Sequence, residues 1–247
     1  MADASDAMTF TSILLFGFLL GMRHALEADH LAAVATLATR GRSVAQTMGL
    51  GMAWGIGHTL TLMLFGGVVL VLGLVVPVRA AQALELAVGV MLVLLGIDVL
   101  YRLWRERIHF HRHRHSDGVS HFHAHSHRDE SAPHDPEHHR HRHLRSFPAR
   151  AMLVGMVHGM AGSAALILLS LEAMGSVSWG LAYIMIFGAG SILGMALLSA
   201  AIAVPLRLTA RHLTRMFDGL SAAVGLATVL LGCYMVYRIG FGDGLIG

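Results

Sequence analysis

Six long apolar runs, separated by short polar breaks, dominate the chain at roughly 9–39, 47–76, 82–103, 149–171, 177–205 and 216–238. Each is long enough to cross a hydrocarbon core of about 30 Å, which takes about 20 residues of α-helix. The pattern predicts an all-α polytopic membrane protein of six transmembrane helices. The stretch MADASDAM ahead of the first run holds no basic residue, so that run reads as a span and not as a cleaved signal peptide. The runs divide the chain into a first three-helix part (1–103), a polar loop (104–147) and a second three-helix part (148–247).

Composition agrees with this reading. Of 247 residues, 55% are hydrophobic and 13% charged, about half the charged share of a soluble domain, ~25%. The single Cys233 excludes an internal disulfide and a CxxC redox pair, and with them a six-helix thiol-transfer protein. All eighteen basic residues are Arg; fifteen fall in segments 40–46, 102–150 and 206–215, against Arg79 and Arg238 on the other side. The positive-inside bias places the fifteen in the cytoplasm. The expected arrangement is a multi-pass protein of the cytoplasmic membrane with both termini outside and the polar loop inside.

The two halves repeat one another. GMRHALEA at 21–28 matches GMVHGMAG at 155–162, GIGH at 55–58 matches GAGS at 188–191, and VGVMLVLLGIDVLYR at 88–102 matches VGLATVLLGCYMVYR at 224–238. The offsets are 134, 133 and 136. Three spans per half is an odd number, so the halves must be inverted in the membrane, the arrangement of many transporters with a site near midplane.

Against this apolar background RHALEADH at 23–30 stands out, because ionisable groups at membrane depth are costly and face an interior, a cavity or an ion. On a regular helix His24 and Asp29 are about 140° apart and His24 and His30 about 240°. Their convergence therefore requires a break, expected near Gly21, in one long span with the motif near its middle; broken helices are tolerated where they line a cavity. Counted from the cytoplasmic ends of their spans, Asp29, His30, His58 and His158 all lie roughly 12–17 Å deep at 1.5 Å per residue. Three spans thus deliver His and Asp to one level. Imidazole with carboxylate suits a divalent borderline ion such as Ni²⁺, Co²⁺ or Zn²⁺. For His158 alone a helix-to-helix hydrogen bond is the competing reading.

The pattern His24, four residues, Asp29-His30 resembles the signature of the nickel/cobalt transporter family (NiCoT, within the wider NicO group). GIGHT at 55–59 is similar to its Gly-His motif on the following helix, and HGMAGSAAL at 158–166 resembles the compact six-span UreH-like branch. The resemblance covers the membrane part of both halves. It implies that His24, Asp29, His30 and His58 take part in metal recognition and that Ni²⁺ or Co²⁺ is the transported substrate. Further motifs in the second halves of the longer eight-span members have no counterpart here.

The loop contains HFHRHRHSDGVSHFHAHSHRDESAPHDPEHHRHRH at 109–143, with thirteen of the eighteen histidines: His109, His111, His113, His115, His121, His123, His125, His127, His134, His138, His139, His141 and His143. Low hydrophobicity with Pro133 and Pro136 predicts disorder, and the composition reads as metal-binding. Alternating His-x-His does not match the spacing of a structural zinc site, so a weak multi-site buffer at the inner mouth is expected; a solvated linker of biased composition is the alternative. Glu27, one turn from His24, is open between ligand, proton acceptor and partner of Arg23. Asp98 is expected at the interface. Ser163 and Ser191 occupy the repeat positions of Asp29 and His58 and are candidates to line the pathway, a role that competes with close helix packing.

The leading reading is Ni²⁺ or Co²⁺ transport, in the uptake direction, with the bilayer, the ion and cytoplasmic nickel chaperones as partners and no nucleic acid. Efflux of the same ions is the second, since related exporters also combine six spans with a His-rich loop. The third is an intramembrane metallohydrolase, but HALEADH places its histidines at i and i+6, where the usual His-Glu-x-x-His helix needs i and i+4. No nucleophile–base pair or nucleotide-binding glycine loop appears, and the chain is not expected to be an enzyme.

Overall fold

A computed structural model describes residues 2–41, 43–74, 76–106, 109–114, 120–125, 148–161, 176–212 and 214–245. Among these, the apolar runs fold as seven α-helices: α1 (Ala2–His24), α2 (Ala28–Ala38), α3 (Val44–Leu72), α4 (Val78–Glu106), α5 (Ala149–Gly159), α6 (Val177–His212) and α7 (Thr214–Tyr237). A single π-helical turn, Arg238–Gly242, follows α7. Helix is what these sequences must form in hydrocarbon, because it satisfies every backbone N–H and C=O internally. Among the described residues, four stretches are long and apolar enough to cross a membrane: Val44–Leu72, Val78–Arg105, Val177–Leu208 and Met216–Gly242. Leu64, Leu94, Met185 and Leu230 lie exposed on them, as a lipid-facing surface requires. The chain is a multi-pass membrane protein.

The first apolar run is two helices, and the break lies at Ala25–Glu27, not at Gly21. Gly21 stays helical because its bare Cα lets α1 lie against α6: a Cβ there would run into the Phe187 carbonyl oxygen. Across the break the backbone tightens to three-residue spacing, with Leu26 N–H donating to Arg23 C=O at 2.9 Å and Glu27 N–H to His24 C=O at 3.1 Å. Glu27 is extended at φ −63°, ψ 149° before α2 begins.

Small residues set the remaining contacts. Gly155 of α5 lies on the Trp54 backbone of α3, Gly57 of α3 on Met152, and Gly190 of α6 on Phe18 of α1. In the same way Gly188 meets Thr59 and Gly55 meets Ile192. Helices α4 and α7 run antiparallel, Gly89 approaching Gly232 and Gly96 approaching Gly225. The main buried cluster joins Ala25, Val34, Trp54, Leu92, Ala151 and Met195, one or more from each of the first six helices apart from α1. It seals the level at which the chain breaks.

Polar ties hold α2 in place. Thr36 and Thr228 hydroxyls meet at 3.2 Å in a buried hydrogen bond between α2 and α7. Arg207 of α6 donates to the Ala38 carbonyl at the end of α2, 3.2 Å. Beyond α2, Arg40 donates to Asp98, which also accepts from Arg102 Nε at 3.0 Å, so Asp98 binds α4 to the end of the broken run.

Within the segment expected to be disordered, His109–Arg114 and Ser120–His125 pair as an antiparallel ribbon. Its register sets His109 opposite His125, His111 opposite His123 and His113 opposite His121. His115, His127, His134, His138, His139, His141, His143 and Ser163 lie outside the described residues.

Candidate metal centre

The break between α1 and α2 brings together what a straight helix would hold apart. His24 is in the last turn of α1 and Asp29 in the first turn of α2, the helix ends where a basic and an acidic group respectively meet a favourable backbone dipole. His58 comes from the middle of α3 and His158 from the last turn of α5. The His24, His30 and His58 rings cluster, with centroids 4.2 Å apart for His24–His30 and 5.3 Å for each of the other two pairs. The His30 and His158 rings are 4.1 Å apart. One ligand atom from each of His24, His30 and His58 lies within 4.8 Å of the others, and the same holds for Asp29, His30 and His158. His30 belongs to both sets.

Two carboxylates orient these rings. Asp29 Oδ1 accepts from His30 Nδ1 at 2.9 Å and from the His30 backbone N–H at 2.8 Å, while Oδ2 takes His158 Nε2 at 3.1 Å. Glu27 Oε1 meets His24 Nδ1 at 2.9 Å; the partner of Glu27 is therefore His24, not Arg23. A carboxylate only accepts, so each of these ring nitrogens carries the proton and the opposite nitrogen presents a lone pair. His24 Nε2, His30 Nε2 and His158 Nδ1 are buried without a hydrogen-bond partner, as are both nitrogens of His58. His58 is fully buried and His30 and His158 nearly so. Buried polar atoms without partners are rare because each costs about 1–3 kcal/mol. Five in one cluster is the signature of a group built to bind something else.

Trp54, one turn before His58, packs against both the His30 and His158 rings at centroid distances of 5.3 and 5.4 Å. Phe187 covers His24 at 5.4 Å. The spacing of Trp54 to His58 is visible in the sequence, but an apolar span gives no reason to single out one aromatic. Ser191 is buried with its hydroxyl unpartnered on α6, where Gly21 packs; it is not in either ligand set. Glu85 and Arg238 share a cavity with the cluster; no motif marks Glu85, and Arg238 is marked only as the end of the repeat match at 224–238.

This arrangement of orphaned imidazoles can hold a divalent cation, and known proteins point the same way. Residues 10–228 match the NicO family, described as high-affinity nickel-transport protein. The chain is also 32% identical over 245 residues to the urease accessory protein UreH of Bacillus sp. (strain TB-90), covering 97% of each chain. No solved structure matches it. The chain therefore belongs to the NicO family of high-affinity nickel-transport proteins, a family of transporters and not of enzymes.

Proposed function

We propose that the protein carries Ni²⁺, and Co²⁺ as its closest chemical relative, inward across the cytoplasmic membrane through a site made by His24, His30 and His58. The observation that carries this reading is the set of buried ring nitrogens at the break, each aligned by a neighbouring carboxylate or left wholly without a partner. Imidazole ligands suit Ni²⁺ and neighbouring divalent ions. Glu27 and Asp29 act as the outer carboxylates that fix ring tautomer and direction, a role whose loss typically costs 10–100-fold in metal affinity. His158, sharing Asp29 with His30, is placed to take the ion next, so the second set is a step along the path. Efflux uses the same site, and the direction of net movement separates the two.

Six spans in two inverted halves form the scaffold of this reading, α1 and α2 making one broken span and α5 beginning the fourth. Its support is a correspondence of contacts. Shifting Gly21 by 134 and Phe187 by 133 lands on Gly155 and Trp54; Gly190 and Phe18 land on Gly57 and Met152; Gly188 and Thr59 land on Gly55 and Ile192. The shift of 136 exchanges the Gly89–Gly232 contact with Gly225–Gly96. These are the relations a two-fold axis in the membrane plane produces. With the arginine bias, the scaffold puts both termini outside and the His-rich segment in the cytoplasm, where it buffers the ion and hands it to nickel chaperones.

Two results test the assignment. Cells carrying the protein should accumulate more nickel than cells without it at trace external concentration, and deletion of 109–143 should preserve saturable uptake while reducing the number of ions bound per protein. Loss of transport in a correctly inserted deletion variant would make the segment part of the pathway, and net depletion of cellular nickel would reverse the direction. Protons also compete with the ion for imidazole. Nickel affinity of the deletion variant in detergent should therefore fall once the pH is low enough to protonate the coordinating imidazoles.

A further inference from the structure

A cavity of about 210 Å³ joins the imidazole cluster to the protein surface, lined by His24, His30 and His158 and also by Glu85 and Arg238. Glu85 lies two turns into α4 and Arg238 opens the π-helical turn after α7. Both are at the end of the bundle opposite the His-rich segment, since α4 leads from Val78 to Glu106 and on to that segment. The two charges meet once, at 3.8 Å, with Arg238 half-exposed. Of the carboxylates lining the cavity, Glu27 is engaged by His24 and Asp29 by His30 and His158, while among the described residues Glu85 pairs with the Arg238 guanidinium alone.

We infer that Glu85 is a carboxylate approach site for the divalent cation, occupied by Arg238 until the ion displaces it. The inference rests on the reading that the imidazoles hold the ion. Its geometry has three parts. A single long contact leaves most of the Glu85 lone pairs available to a hydrated cation. Arg238 has a second acid in reach, Asp243 Oδ2 at 4.0 Å from its Nε, so it can release Glu85 without leaving its own charge uncompensated. The same cavity wall carries His24 and His30, whose buried Nε2 atoms are unpartnered and bind more strongly once water is shed. A weak oxygen site ahead of a strong nitrogen site concentrates the ion at the mouth, as charged clefts do, without trapping it. Arg238 also stands at the repeat position of Arg102, which pairs with Asp98 at the other end of the bundle.

The test separates approach from binding. Glu85→Gln should raise the KM for nickel uptake about tenfold, the low end of electrostatic focusing, while equilibrium nickel affinity of the purified protein stays within about twofold of the parent, the cluster itself being untouched. Glu85→Asp should restore much of the KM, and Arg238→Gln should lower it. An unchanged KM in Glu85→Gln overturns the inference, as does a loss of equilibrium affinity equal to the loss in transport. A second measurement does not depend on transport: in a Cys233→Ser background, modification of Glu85→Cys by a thiol reagent in detergent should be slowed by Co²⁺. Absence of protection overturns the approach site. The underlying imidazole reading fails separately, by nickel affinity that survives His30→Ala.

Discussion

His58→Leu should abolish nickel binding and transport and, in the same molecule, raise the stability of the metal-free protein. His58 is fully buried, and neither of its nitrogens has a hydrogen-bond partner. In a chain selected for stability alone, an apolar side chain of similar volume would replace it, because a buried polar group left unsatisfied costs about 1–3 kcal/mol. Leu supplies that volume on the buried face of α3 that Trp54 and Leu62 share, one turn to either side. The metal-free protein should therefore gain on the order of 1–3 kcal/mol, read as a higher midpoint of thermal unfolding in detergent. Binding should move the other way. Removing one of three ligands from a cluster whose members lie within 4.8 Å of one another should reduce nickel affinity more than the loss of an orienting carboxylate, which takes 10–100-fold. His30→Gln should be as severe, because His30 serves both ligand sets, whereas Asp29→Asn should weaken binding within that 10–100-fold range. If His58→Leu destabilises the metal-free protein and leaves nickel affinity intact, the ring is a structural element and the proposed centre is wrong. Bound Ni²⁺ stabilises only a protein that still binds it, so the parent should shift upward in nickel and His58→Leu should not.

That opposition between stability and function explains which parts of the site were legible in the sequence. His24, His30, His58 and His158 were conspicuous because hydrophobic spans make any imidazole costly, and a common depth for Asp29, His30, His58 and His158 was expected from helical rise alone. The need for a break also followed, from angular separations no straight helix can reconcile. Its position did not. Gly21 looked like the weak point, yet a glycine in a membrane helix serves close approach as readily as unwinding, and here it lets α1 lie on the Phe187 backbone. The turn instead occupies Ala25–Glu27, where Glu27 is held by His24. The link between Asp29 and His158 was also hidden, since a hydrogen bond from His158 Nε2 to Asp29, a residue 129 positions away, has no local signature. Glu85 was overlooked for the same reason, and Arg238 counted only toward the charge bias and the repeat: charges near span ends are ordinary, and only the fold places them on the cavity that leads to the imidazoles.

Gly21→Val and Gly155→Val should each prevent the protein from assembling, and to a similar degree. Each glycine lies on a carbonyl of a neighbouring helix, Gly21 on Phe187 of α6 and Gly155 on Trp54 of α3, and a Cβ at either would collide with backbone that cannot swing aside. Overpacking a core costs about 1–3 kcal/mol when side chains can yield; with backbone as the obstacle, the cost should reach at least the upper end of that range. Gly49, with no atom within 4 Å of where its Cβ would stand, is the control. Gly49→Ala should be harmless, or stabilising by about 0.5–1 kcal/mol through the helix preference of Ala over Gly. The measurement is the yield of monodisperse protein in detergent and its thermal midpoint, with Gly21→Ala and Gly155→Ala as milder members of the series. Gly155→Ala carries an extra consequence, because Trp54 packs on His30 and His158: displacing it should lower nickel affinity even where the protein still folds. A damaging Gly21→Val beside a silent Gly155→Val would mean the two contacts are not equivalent. The inverted repeat would then lose its support, since it derives both from one packing rule applied twice.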